Sequence, residues 1–255
     1  MFSSMLMLLL LVVFATLALA EQLWATRDDQ DVSDRRLALN FSLGLVNLLL
    51  GTIAPIGAVA TGFVAEQQGW GLLQLRSMPL ALDILAIYTA QSLTGYWLHR
   101  LSHRVPLLWY FHRLHHTDRA IDVSTALRNH PVELIPALVA STAPILVLSP
   151  SLDAVAVAAT ILFAQGLCTH TNVRLPASVA RRLEWIVVTP NAHLVHHSAD
   201  RPATDSNFSD SLPWWDRLFG TWRGAEPVSR IGVDVASRQP SRIRRNRSVT
   251  LTDHE

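Results

Sequence analysis

The sequence has little charge and almost no sulfur chemistry. Of 255 residues, 16% are charged and 50% are hydrophobic. An ordinary soluble domain carries about 25% charge, so this composition argues against one. The net charge of +1 argues against a nucleic-acid partner. A single cysteine, Cys168, excludes an internal disulfide and a metal site built on thiolates. It reads as a small buried hydrophobe. There is no GxGxxG after a strand and no haem-binding or flavin-binding motif, so the chain brings no organic redox cofactor of its own. His-Glu-x-x-His is absent, which removes the general base of a zinc peptidase. Glu-x-x-His is absent too, which removes the ligand set of soluble diiron bundles.

Long apolar runs are present instead. Residues 2–20 form an uncharged stretch close to the roughly 20 residues that a membrane helix needs. Leu17-Ala18-Leu19-Ala20 before Glu21 resembles a signal-peptide cleavage site. No basic residue precedes Arg27, however, so a retained span is expected. Further apolar stretches cover about 38–65, 79–98, 132–149 and 152–169. The third contains one charge, Asp83, and Ser149-Pro150-Ser151 joins the last two in a tight turn. Pro136 and Pro144 shorten or kink the fourth. The fold class is therefore all-α, a polytopic membrane protein with four to five spanning helices.

The expected organisation is N-terminal membrane helices and linker over 1–78, a catalytic domain over 79–225, and a basic tail over 226–255. The tail is Arg-rich from Arg238 to Arg247. It reads as disordered, with contact to anionic lipid as the alternative. Arg35 and Arg36 place the start of the second span inside by the positive-inside bias. Residues 99–131 and 170–255 then fall on one face of the membrane, the cytoplasmic one.

Histidine is the anomaly. Ten of the 11 histidines lie between His99 and His197. The first box is His99 and His103, four apart and so on one helix face. The second is His112, His115 and His116, and the third is His193, His196 and His197. Both have the spacing i, i+3, i+4, again one helix face. Neutral imidazole is a good ligand for iron, zinc and copper. Eight such ligands exceed what one ion takes, so two ions are expected. An all-nitrogen site with room for a small ligand suits iron that activates dioxygen. His130, before the fourth span, and His170, after the fifth, reach the same face. Each is a candidate ligand, with hydrogen-bonding support of the other ligands as the alternative. A membrane metal transporter is a different reading, but it favours ligands at mid-membrane depth. These histidines sit at the boundary of the apolar runs.

The residues resemble the fatty acid hydroxylase/sterol desaturase superfamily of membrane histidine-box diiron oxygenases. The resemblance is carried by Tyr96-Trp97-Leu98-His99-Arg100-Leu101-Ser102-His103, His112-Arg113-Leu114-His115-His116-Thr117, Arg128-Asn129-His130-Pro131-Val132-Glu133 and Thr189-Pro190-Asn191-Ala192-His193-Leu194-Val195-His196-His197-Ser198. Asp205-Ser206-Asn207-Phe208 and Trp214-Trp215-Asp216-Arg217-Leu218-Phe219-Gly220-Thr221 look like its C-terminal signature. The resemblance implies a cytoplasmic cap over two iron ions. It implies dioxygen-dependent hydroxylation or desaturation of a lipid drawn from the bilayer. Its ligands carry over onto the three boxes, and onto His130 and His170 less directly. Electrons would come from a separate donor of ferredoxin or cytochrome b5 type. Trp214 and Trp215 are expected to pack the cap, with Phe219-Gly220 ending an element.

Overall fold

A computed structural model describes residues 2–27, 33–51, 61–62, 64–65, 67–71 and 78–233. Six longer helices come first: α1 (Phe2–Trp24), α2 (Asp34–Gly51), α3 (Leu80–Ser102), α4 (Pro106–His116), α5 (Leu134–Leu148) and α6 (Leu152–Thr169). Four short ones follow: α7 (Ala177–Leu183), α8 (Pro190–His196), α9 (Arg201–Thr204) and α10 (Trp214–Leu218). The described residues contain no strand, only an isolated antiparallel bridge between Ser198 and Ile231. Much of the expected second apolar stretch and the Arg-rich tail lie outside the described residues.

Among the described residues, three helices are long and apolar enough to cross a membrane, over Met5–Trp24, Pro131–Leu148 and Leu152–Thr169. Their apolar side chains stay largely exposed, Leu8, Ile135 and Val139 among them, which a water-soluble surface tolerates only in small patches. α2 and α3 are as long but more polar. α2 opens on Asp34-Arg35-Arg36, and α3 buries Asp83, Gln91 and Ser92.

α3 is the central helix, packed along both α5 and α6. Ile87, Ile145, Ala154 and Ala158 form the buried cluster where the three meet. The α5–α6 hairpin closes at Ser149, whose left-handed backbone (φ 46°) ends α5. Ser151 then caps α6 by accepting from Ala154 N–H at 3.2 Å. Asp83, the one charge in its apolar run, accepts the Ser151 N–H at 2.8 Å and so clasps the turn to α3. Cys168 was expected inside but is exposed on α6. A thiol is apolar enough to sit on a face that meets lipid.

The N-terminal helices are tied to the segment after α4 by buried polar contacts. The Arg36 guanidinium grips Asp118 through Nε at 2.6 Å and Nη2 at 3.0 Å. It also reaches Asp122 and the carbonyl of Ala120. Asn40, one turn further on, donates to Ser124 Oγ at 2.9 Å and accepts from Arg128 at 3.0 Å. Glu21, near the end of α1, accepts from the backbone N–H of Val123 and of Asn172. Arg36, read from the sequence as a topology signal, is thus a buried structural cation.

Removing one partner of a buried ion pair leaves the other charge uncompensated, at a cost of about 3–5 kcal/mol. Arg36→Ala should therefore lower stability by that amount in thermal unfolding of the detergent-solubilised protein. Arg36→Lys should restore little, because a point charge cannot make the forked contact. An unchanged midpoint in Arg36→Ala would contradict this role.

Candidate metal centre

Two helix ends and two short helices deliver the histidines. α3 ends in the first box, with His99 in its last turn and His103 as its C-cap, the His103 N–H bonded to the His99 carbonyl. Pro106 opens α4 at a position where a missing N–H costs nothing, and α4 carries His112, His115 and His116. Thr189 caps α8 through Ala192 N–H and Pro190 begins it. That helix carries His193 and His196, with His197 as its C-cap. His170 is the C-cap of α6.

These elements converge to make two groups of imidazoles. One contains His99, His103, His112, His116 and His196; the other contains His115, His170, His193 and His197. Within each group the ring nitrogens lie within 4.8 Å of one another, and every histidine is buried. Each three-histidine box divides between the groups. Residues i and i+4 go one way (His112 and His116, His193 and His197), and i+3 goes the other (His115, His196). The reason is angular: i+3 and i+4 lie about 100° apart around a helix. One box can therefore straddle two centres. The groups adjoin, with the His116 and His197 rings stacked 4.8 Å apart.

Oxygen acceptors fix the tautomer of several rings. His99 Nδ1 meets the Phe208 carbonyl at 2.7 Å, His196 Nδ1 the Ser206 carbonyl at 2.7 Å, and His170 Nδ1 the Gly166 carbonyl at 2.6 Å. His112 Nδ1 meets Glu133 Oε2 at 2.8 Å, and His103 Nδ1 meets Asp205 Oδ1 at 3.3 Å. Carbonyl and carboxylate oxygens only accept, so each of these Nδ1 atoms carries the proton and each Nε2 is a bare lone pair. Yet the Nε2 atoms point at one another. His103 and His112 each stand 3.1–3.2 Å from His116 Nε2. His170 Nε2 lies 3.1 Å from His115 and 3.0 Å from His193, which is 3.1 Å from His197. The Nε2 atoms of His99 and His196 are buried without any partner.

Protonation does not relieve this crowding. Burial pushes His103, His115, His116, His193, His196 and His197 well below the ordinary imidazole range, and the neighbouring histidines push them further. The Nε2 lone pairs of His99 and His196, buried with no donor in reach, call for a cation. Two nitrogens bound to one ion at about 2.1 Å stand about 3.0 Å apart when adjacent in an octahedron. The observed spacings match that edge, so the residues fit a metal in each group.

The remaining candidate from the sequence, His130, joins neither group. Its Nδ1 accepts from Val132 N–H, and its backbone N–H donates to Glu133 Oε1 at 2.9 Å. Glu133 then holds His112 with its other oxygen. The surrounding motif buttresses α4 elsewhere as well, Arg128 donating to the Leu114 carbonyl and to Thr117.

Sequence reading did not foresee the role of residues 205–208. This segment holds three histidines from two boxes through Asp205, the Ser206 carbonyl and the Phe208 carbonyl. Asn207 bends it with a left-handed backbone (φ 50°) that asparagine tolerates. Its side chain is pinned between the Ala192 and Arg223 carbonyls. Asp216 steadies the far end, accepting from the N–H groups of Phe208 and Ser209 and from the Thr221 hydroxyl. Trp215 packs as expected, donating to Ser92 on α3 at 2.9 Å, whereas Trp214 remains half-exposed. Gly220, with φ 68°, turns the chain after α10.

Comparison with known proteins agrees with this geometry. The alkylglycerol monooxygenase of Homo sapiens is 33% identical over 127 residues, 50% of this chain and 27% of that protein. The alkylglycerol monooxygenase of Xenopus tropicalis is 32% identical over the same length. The chain thus spans about a quarter of the length of these relatives. An ornithine lipid hydroxylase of Rhizobium tropici is 25% identical over 230 residues, 90% of this chain and 68% of that protein. No solved structure matches. The fatty acid hydroxylase family matches residues 84–221, more than half of the sequence and the stretch that holds every histidine of both groups; the chain belongs to that family.

Proposed function

We propose that this protein is an integral membrane oxygenase that hydroxylates a lipid, using dioxygen and two iron ions, one in each histidine group. The observation that carries the reading is the set of nine buried imidazoles in two groups, several of them locked with bare Nε2 atoms toward a common point. An all-nitrogen donor set excludes magnesium and calcium, which take oxygen ligands, and suits iron. The relatives' names, a monooxygenase and a hydroxylase, support hydroxylation over desaturation. Both names describe lipids with a polar head, and we extend that class to the substrate here. Four to five helices would span the bilayer, with the histidine groups at its cytoplasmic face. The chain has no redox cofactor motif, so electrons would come from a separate protein of ferredoxin or cytochrome b5 type.

Iron bound in the two groups would supply dioxygen activation and the oxidation of an unactivated C–H bond. The chain's residues hold and dry the site. Glu133, Asp205 and the carbonyls of Gly166, Ser206 and Phe208 keep each ring in one tautomer and one orientation. Such partners typically matter about 10–100-fold in metal affinity or activity. Phe208 packs its ring 5.1 Å from His103, and Trp109 packs 5.0 Å from the same ring, excluding water from that side. His130 acts through Glu133 rather than on the metal.

Lipid mass spectrometry of cells with and without the gene should show one lipid class gaining the mass of a single oxygen atom. A loss of two hydrogens instead would establish desaturation. His115→Ala and His196→Ala should still accumulate as folded protein but lose nearly all activity per folded molecule. Near-wild-type specific activity in both would overturn the assignment. Reporter fusions at Ala120 and Trp185 should both read cytoplasmic and one at Trp70 external; a split between the first two would break the single-face arrangement.

A further inference from the structure

Three carboxylates approach the ring nitrogens of the metal centre. Two are committed to the five-histidine group: Glu133 to His112 at 2.8 Å and Asp205 to His103 at 3.3 Å. The third is Asp210, just beyond the segment that holds His99 and His196. One oxygen of Asp210 lies 3.8 Å from His99 Nδ1 and 3.7 Å from His193 Nδ1. Those histidines belong to different groups. Asp210 is thus the one described carboxylate that approaches both, and it is half-exposed while the rings are buried.

The two rings have different needs. His99 Nδ1 already donates to the Phe208 carbonyl. His193 Nδ1 is buried and has no hydrogen-bond partner. Among the described residues, no other carboxylate lies within ion-pair distance of a histidine in the four-histidine group. A ring nitrogen bound to a metal makes the opposite N–H a better donor, and a carboxylate is the usual acceptor for it. At 3.7 Å a small ring movement or one bridging water completes the contact.

We propose that Asp210 is a positioning residue for one of the two histidine groups, whose carboxylate anchors His193 and so holds the ion of the four-histidine group. This rests on the proposed function, since it presupposes an ion in each group. Asp210 touches neither metal nor substrate; it orients a ligand and offsets part of the positive charge of an otherwise neutral ligand set.

The test is release of iron from the anaerobically loaded, full-length protein in detergent to a coloured chelator. The wild type should release two ions per chain. Asp210→Asn should speed release of one of them about tenfold to a hundredfold, with the thermal midpoint unchanged. Asp210→Glu should restore slow release. Glu133→Gln should instead speed release of the other ion. Two backgrounds assign the effect. In His103→Ala, where the four-histidine group remains complete, Asp210→Asn should speed release of the remaining ion. In His115→Ala, where the five-histidine group remains complete, it should have little effect.

Two ions in the wild type with no acceleration in Asp210→Asn would overturn the role of Asp210 and leave the two-ion reading standing. Equal acceleration in both backgrounds would overturn the selective anchoring. A wild type that holds at most one ion would overturn both readings.

Discussion

An imidazole that gives its Nδ1 proton to a fixed oxygen must present a bare lone pair at Nε2. The architecture follows from repeating that constraint in a closed space. His99, His103, His112, His170 and His196 are all set in this way by carbonyls or carboxylates. Their Nε2 atoms point into the two groups, those of His103, His112 and His170 lying 3.0–3.2 Å from a neighbouring imidazole nitrogen and those of His99 and His196 buried without a partner. Buried lone pairs so arranged are costly by themselves and become favourable with a cation among them. The polar contacts around the site make sense as the framework that keeps the apo arrangement from collapsing. Arg36 braces the segment after α4, Glu133 braces α4 itself, and Asp216 braces the Phe208 loop.

The long helices give this framework its position. α3 and α6 pack side by side and are tied by the Tyr88–Gln165 hydrogen bond of 2.9 Å. Each ends in histidines of the centre, His99 and His103 on α3 and His170 on α6. Residues 189–221 carry His193, His196 and His197 and hold His99 and His103 through Phe208 and Asp205. They form loops and very short helices. Their stability comes from side chain to backbone hydrogen bonds rather than from helix propensity.

The histidine boxes were legible in the sequence because helical periodicity translates spacing directly into a shared face. The hairpin at Ser149 and the role of helix ends were legible for the same kind of reason. The split of the two three-histidine boxes between two centres was not, because it depends on how α4 and α8 are rotated against each other. Residues 205–208 were visible as a motif without a function, since two of their contacts are made by backbone carbonyls that carry no residue signature. Asp210 and Glu133 look like ordinary surface acids until folding brings them to histidines far away in sequence. The burial of Arg36 was not legible, because a buried arginine and an exposed one are the same letter beside an apolar run. The exposure of Cys168 was not legible, because the residue type alone does not say which face of α6 packs inward. His130 shares its motif with Glu133, and only the three-dimensional arrangement shows that the glutamate is the one that reaches the centre.

In the proposed centre, histidine nitrogens alone furnish the protein's share of two metal sites. X-ray absorption at the iron edge of the anaerobically loaded protein reads the ligands directly. The account predicts a first shell of nitrogen and oxygen near 2.1 Å with strong imidazole outer-shell scattering, averaging five rings on one ion and four on the other. A first shell containing sulfur, or one dominated by carboxylate oxygen with few imidazoles, would contradict it.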